Sequence, residues 1–245
     1  MRLQEKNNDC GSYRPCSIPT TGLNKKAPPS KRGYHPIHYW KIAAVKKAVA
    51  GLPKGSRILD AGCGNGFMMD ELDSMLLGFD VWGLDLHNKG EKIVNKSITG
   101  TGFSKGCFDC VLCLEILQYL PKNEIWKALA EVKRISKKRA LIIITFPNQT
   151  HFAARAVKLL KRQFPPTDTK VPSVGDMPIS EFEGMLKRSG FAILEKNHCF
   201  PTFLPLSLFL PLQLSRALLP LANRLASQND CFVTLFICRK SAKKS

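Results

Sequence analysis

The segment Arg57–Leu72, RILDAGCGNGFMMDEL, constrains the fold more than any other part of the chain. Ile58 and Leu59 read as the end of a buried strand, with Asp60 at its carboxyl end. Gly62, Gly64 and Gly66 then supply a loop that bends too tightly for residues carrying a Cβ. A helix is predicted at once afterwards, because Met68, Leu72, Met75 and Leu76 recur at helical spacing and Met69 widens the same face. Strand, glycine loop and helix amino terminus in series make a crevice where backbone N–H groups and the helix dipole meet a ligand's polar end.

A second acidic residue narrows the ligand. The run Val81–Leu86, VWGLDL, reads as the next strand, and Asp85 at its end stands where a carboxylate accepts hydrogen bonds from a ribose diol. The loop spacing is Gly-x-Gly-x-Gly rather than the Gly-x-Gly-x-x-Gly that cradles a pyrophosphate. Asp60, one residue before the loop, would repel a diphosphate but suits an ammonium or a sulfonium. The expected cofactor is therefore S-adenosyl-L-methionine and not a nicotinamide dinucleotide.

With these residues in view the chain resembles the class I S-adenosylmethionine-dependent methyltransferases, and among them the small-molecule and lipid methyltransferase group. Asp60, Gly62, Gly64, Gly66 and Asp85 fall on the family's cofactor motifs, and Phe108, Asp109, Val111, Glu115 and Leu117 of FDCVLCLEILQYL fall on its fourth-strand motif. The resemblance implies a Rossmann-like, doubly wound α/β fold. Its mostly parallel seven-stranded sheet has the last strand antiparallel; before that strand this chain adds a hydrophobic insertion, residues 200–226, read from its own composition as one or two short helices. The resemblance also implies a cofactor site made of Asp60, Gly62, Cys63, Gly64, Gly66, Asp85, Leu86 and Glu115. A helix before the first strand, here Tyr34–Ala50 with Ile42, Val45 and Val49 on one face, closes over the cofactor in such proteins. That puts Tyr34, His35, His38, Tyr39 and Trp40 among its expected neighbours.

The chain departs from the family after Asp85. Only about twenty residues reach Phe108, so HNKGEKIVNKSITGTGFSKG has room for one short strand near Ile93–Ile98, with the intervening helix shortened or missing. Where relatives place an acid for the adenine amino group, this chain has Ser97, Ile98 and Thr99. A serine hydroxyl or a backbone carbonyl is the expected substitute. Further strands are expected at Cys110–Glu115, Ala140–Phe146, Phe191–Cys199 and Cys231–Cys238, and helices at Lys122–Ile135 and Ile179–Ser189.

The 245 residues, 44% of them hydrophobic, suit one domain. Residues 1–33 read as a disordered basic tail, 34–240 as the methyltransferase domain with an apolar insertion at 200–228, and 241–245 as a second basic tail. Nine cysteines do not read as a disulfide framework. Cys107, Cys110 and Cys113 lie in or beside one strand, where residues three apart point to opposite faces, so no metal site is expected from them.

A net charge of +18 implies an anionic partner, either a membrane surface or nucleic acid. Two segments favour the membrane. His151–Phe164 alternates an apolar face with Arg155, Lys158, Lys161 and Arg162, and residues 200–226 are rich in leucine and phenylalanine but broken by Pro201, Pro205, Pro211 and Pro220. The reading is a cytoplasmic enzyme, peripheral to the membrane, that methylates a hydrophobic small-molecule or lipid-linked acceptor. The alternatives are an RNA or protein methyltransferase, disfavoured for want of an Asn/Asp-Pro-Pro-aromatic motif or an RNA-binding module, and a non-catalytic cofactor-binding homologue. If the acceptor needs a base, the candidates are His151 and Tyr119, with His198 behind them.

Overall fold

The computed structural model describes residues 36–148, 177–201 and 231–241. Its centre is set by two apolar runs. Strand β4 (Phe108–Cys113) and strand β5 (Ser136–Pro147) lie side by side in parallel, with Val111 opposite Ile142 and Leu112 opposite Ile143. Continuous apolar strands of this kind must be covered on both faces, because successive side chains point to opposite sides.

The two sets of side chains build two cores. Leu59, Val111, Cys113, Ile142, Ile144 and Phe146 join α3 (Lys122–Ile135) and α4 (Ile179–Arg188) on one side of the sheet. Ile58, Cys110, Leu112, Leu141 and Ile143 join α1 (Pro36–Val49) and the short α2 (Phe67–Asp73) on the other. In α3 the inward positions are Ile125, Ala128, Leu129, Val132 and Ile135, all fully buried. Truncating Leu129 to alanine there would cost about 2–5 kcal/mol.

Strands β1 (Arg57–Ala61), β2 (Asp80–Asp85), β3 (Ile93–Asn95), β6 (Phe191–Pro201) and β7 (Cys231–Lys240) complete a seven-stranded sheet in the order β3-β2-β1-β4-β5-β7-β6. All pairings are parallel except those of β7, which runs antiparallel to β5 and β6. The chain therefore has the Rossmann-like methyltransferase fold expected of it. The strand order reverses between β1 and β4, and the crevice at that switch point is where ligands bind in such sheets.

Three local expectations are corrected. The helix after the glycine loop stops at Asp73, and Leu76 is not on its buried face: it is 89% exposed with φ of 55°. The fourth strand ends at Cys113 rather than Glu115, because Glu115 takes a left-handed backbone, φ 56°, that no strand accommodates. Strand β5 begins four residues earlier than the apolar run predicts, since Ser136 pairs with Phe108 across an irregularity in register.

The shortened β2–β3 and β3–β4 connections contain no helix, as the spacing predicted. Residues 96–107 are pinned instead by Glu131. Its Oε1 accepts the Thr101 N–H (2.9 Å) and hydroxyl (2.6 Å), while Arg134 donates to both Glu131 and the Phe103 carbonyl. The expected basic helix His151–Phe164, with His151 itself, and all but the first two residues of the apolar insertion lie outside the described residues. No described helix is long and apolar enough to cross a membrane.

Candidate active site

The carboxyl ends of β1, β2 and β4 meet at the glycine loop. Gly62 and Cys63 donate their N–H groups to the Leu84 carbonyl at 2.7 and 3.1 Å, which ties the loop to β2. Only glycine suits position 62, where φ is 79° and a Cβ would come within 2.7 Å of Ile116 Cδ1. Gly83 has the same steric logic on β2: a Cβ there would meet Cys63 Sγ at 2.6 Å and Met69 Sδ at 2.8 Å. Cys63 is thus a packing residue as well as a loop residue. Burial pushes its thiol up to about 12, with the negative charges of Asp60 and Asp85 adding to the effect.

Asp85 is held from four directions. Its Oδ2 accepts the Gly64 N–H at 2.9 Å, and its Oδ1 accepts the N–H groups of His87 (2.8 Å) and Asn88 (3.0 Å) and the Asn88 side-chain amide (2.9 Å). Burial disfavours its charge, but these donors outweigh burial and keep the carboxyl below its ordinary value. A carboxylate oxygen offers about two acceptor sites, so Oδ2, which accepts only the Gly64 N–H, retains one, while the three donors on Oδ1 fill that oxygen.

Asp60 is the opposite case. It is 3% exposed, and no hydrogen-bond donor among the described residues reaches its side chain. Burial pushes its carboxyl up to about 7; Lys41 opposes this and Asp85 reinforces it. A buried carboxyl with no donor is costly unless something outside the chain completes it. It stands just before the glycine loop, opposite Gly83 of β2 and within electrostatic reach of Asp85, a position that fits the polar end of an adenosyl amino acid.

Glu115 closes the crevice from β4. Its strained backbone is fixed by an N–H donated to Thr145 Oγ1 at 2.7 Å, with Thr145 fully buried in β5. Strain of this kind costs on the order of 1–3 kcal/mol and survives only where its surroundings enforce it. The Glu115 carboxylate pairs with Lys41 Nζ at 2.7 Å, joining α1 to β4 across 74 residues of sequence.

The remaining candidates divide. Leu86 and Tyr119 are 58% and 52% exposed, at the ends of β2 and of the 3-10 turn Leu117–Tyr119 respectively. Ser97 and Thr99 bond to each other at 2.9 Å. His198 lies on the edge strand β6, separated from β4 by β7 and β5, with its Nδ1 3.1 Å from the Thr234 hydroxyl. The structure does not bring it to the glycine loop. Trp40 packs against the α1 side of the core. Two residues near the crevice escaped the sequence reading, Lys41 and Gln118. The Oε1 of Gln118 is buried without a partner among the described residues.

A seven-stranded sheet of this order, with an acid before a triple-glycine loop and a second acid ending β2, defines the class I S-adenosylmethionine-dependent methyltransferases. The family described as "Methyltransferase domain" matches residues 36–196, and the chain belongs to it. A ubiquinone biosynthesis O-methyltransferase of Bordetella avium is 31% identical over 112 residues, covering 39% of this chain and 45% of that protein. The chain thus matches less than half the length of that relative.

Solved structures share the fold. A SAM-dependent methyltransferase from Archaeoglobus fulgidus superposes with a TM-score of 0.57 at 17% identity, over 82% of this chain and 94% of that one. A magnesium protoporphyrin IX methyltransferase from Synechocystis, solved with S-adenosylhomocysteine, gives 0.53 at 18% identity over 84% of each chain.

Proposed function

We propose that this chain transfers the methyl group of S-adenosylmethionine to a hydrophobic, lipid-linked small-molecule acceptor at a membrane surface. The observation that carries the cofactor reading is the buried, donorless carboxyl of Asp60 beside the glycine loop, facing the electrostatic reach of Asp85. The residues fit the group. Asp60 would take its ammonium, Gly62, Cys63, Gly64 and Gly66 would let it approach the backbone, Asp85 would accept a ribose hydroxyl, and Leu86 would offer the adenine an exposed apolar face. Glu115 borders the same crevice from β4.

The cofactor supplies an activated methyl group on a sulfonium, and the displacement is in line with no covalent intermediate. What the protein contributes is alignment and the exclusion of water. Tyr119 and His151 are the proposed bases for a hydroxyl acceptor, Tyr119 following the carboxyl end of β4 and His151 following that of β5. A poor base such as tyrosine suits an acceptor that is already acidic.

Support for the acceptor class comes from sequence and from the relative. The basic amphipathic stretch 151–164 and the apolar stretch 200–226 both follow carboxyl-side elements of the sheet. The ubiquinone-pathway methyltransferase that resembles this chain is by name an O-methyltransferase. The test is incubation of the protein with methyl-labelled S-adenosylmethionine and a host-cell extract, followed by counting label in organic, nucleic-acid and protein fractions. Label is expected in the organic phase. Label in RNA or protein would overturn the acceptor class, and no label in any fraction would favour the non-catalytic alternative.

A further inference from the structure

The amino end of the sheet, away from the glycine loop, holds lysines that the cofactor reading leaves unused, and backbone contacts bring three of them together. Lys133 lies in the last turn of α3, and its Nζ rests against Gly190, so close that a Cβ on that glycine would overlap it. Gly190 leads directly into β6, whose first residue, Phe191, is paired with Lys240 of β7. Lys240 reaches the other way, its ammonium donating to the carbonyl of Ser136, three residues after Lys133. The two side chains thus span the same gap from opposite walls. Lys105 joins them from the β3–β4 connection, because the next residue, Gly106, donates its N–H to the Arg134 carbonyl at 3.0 Å.

No acid neutralises this group. None of the three lysines has an ion-pair partner among the described residues, and the acids adjacent to them in the fold are engaged elsewhere, Glu131 by Arg134 and Asp109 by Lys137. Lys133 and Lys240 are also half-buried, which makes an unpaired charge dearer. Helices α3 and α4 both end here, and each carboxyl terminus offers about half a unit of negative charge. Against three ammonium groups, that leaves an excess of about two positive charges. Lys240 registers the imbalance, since burial and then the like charges of Lys105 and Lys133 hold its ammonium below the ordinary lysine value. Beside Gly190, the Ser189 hydroxyl is buried without a partner among the described residues, and such a group is costly until an acceptor completes it.

We infer that Lys105, Lys133 and Lys240 form a binding site for a phosphate group at the opposite end of the sheet from the glycine loop. A phosphate monoester matches the excess, being close to a dianion near neutral pH, and its oxygens accept from several ammonium groups at once. A carboxylate, with one charge and two oxygens, would leave the excess half met. The site is independent of the cofactor reading, because a five-residue strand of roughly 17 Å separates the two ends. It assigns part of the +18 net charge to a discrete ligand rather than to the surface at large.

Two probes at fixed ionic strength test the site and distinguish its sources: calorimetric titration with inorganic phosphate, and sedimentation with phosphatidylcholine vesicles containing phosphatidic acid. The variant Lys133→Gln/Lys240→Gln is expected to lose about tenfold or more in affinity. Lys138→Gln/Arg139→Gln, which removes the same charge from the exposed start of β5, is expected to change affinity less than about twofold. A loss towards inorganic phosphate identifies a free phosphate compound as the ligand, and a loss towards the vesicles alone identifies a lipid headgroup. No difference between the wild type and Lys133→Gln/Lys240→Gln with either probe, or an equal loss in the two double variants, would overturn the site. A thermal melt establishes that each variant folds. Should Lys133→Gln/Lys240→Gln not fold, Lys105→Gln on its exposed turn takes its place with an expected loss of about threefold, and an unchanged affinity there overturns the inference.

Discussion

The two ends of the sheet carry opposite charge, and they differ in how that charge is held. At the carboxyl end, Asp60, Asp85 and Glu115 converge on one glycine loop with Lys41 among them, Asp60 and Lys41 buried and Asp85 and Glu115 half-buried. At the amino end, Lys105, Lys133, Lys138, Arg139, Arg239 and Lys240 gather where β4 and β5 begin and β7 ends. None of the six has an ion-pair partner among the described residues. Lys240, whose ammonium donates to the Ser136 carbonyl, is pulled below its ordinary value by burial and by the like charges of Lys105 and Lys133.

The contrast separates net charge from chemistry. The +18 of the chain describes its surface, whereas the crevice that fits a cofactor is acidic. A five-residue strand spans roughly 17 Å, about twice the Debye length at physiological salt, so the amino-end cations contribute little to the potential inside the crevice. In the proposed function the basic end would meet an anionic surface and the acidic end the cationic groups of the cofactor.

The sharpest way to break this division is at the loop. Gly62→Ala puts a Cβ against Ile116 and forces an alanine to φ 79°. We expect a loss of about 2 kcal/mol or more in chemical denaturation and no measurable S-adenosylhomocysteine binding. Wild-type affinity in this variant would mean that the loop does not shape the site.

A pH series sharpens the carboxyl-end half of the contrast. Burial raises Asp60 from 3.8 to about 7, so the ligand-free fold favours its protonated form. That contribution to stability is complete below the unfolded value and lost as pH rises through about 7. It is on the order of 4 kcal/mol, and Asp60→Asn should remove the slope. Ligand binding has the opposite sign. A bound ammonium favours the ionised acid, so S-adenosylhomocysteine affinity should fall by up to about tenfold per pH unit below 7. Affinity independent of pH between 5.5 and 7.5 would remove Asp60 from the site.

The smallest expected effect lies at the other end. Lys105→Glu together with Lys138→Glu should change S-adenosylhomocysteine affinity less than about twofold while lowering the salt needed to elute the protein from heparin. A tenfold change in ligand affinity would show that the two ends are coupled.

Much of this arrangement was legible beforehand, for identifiable reasons. Helix α3 was expected at Lys122–Ile135 and is found there, because its buried stripe and a preceding proline leave little freedom in its bounds. Asp60, the glycines and Asp85 were readable because strand ends and positive-φ positions restrict residue type. The start of β5 was not, since Lys137, Lys138 and Arg139 look like a solvated loop and are strand only because the chain pairs onward to Phe108. Leu76 misled because its spacing fits a helix that ends one turn earlier. Lys41 was overlooked for the converse reason: a charged residue on an apolar stripe reads as an interruption until Glu115 is seen beside it.

The most direct measurement of the central claim is calorimetric titration of S-adenosylhomocysteine into the wild type and into Asp85→Ala. This account predicts saturable one-to-one binding by the wild type and a loss of about 100-fold or more in the variant, with both proteins folded. Absence of binding by the wild type, or equal affinity in the two proteins, would contradict the assignment of the acidic end of the sheet as the cofactor site.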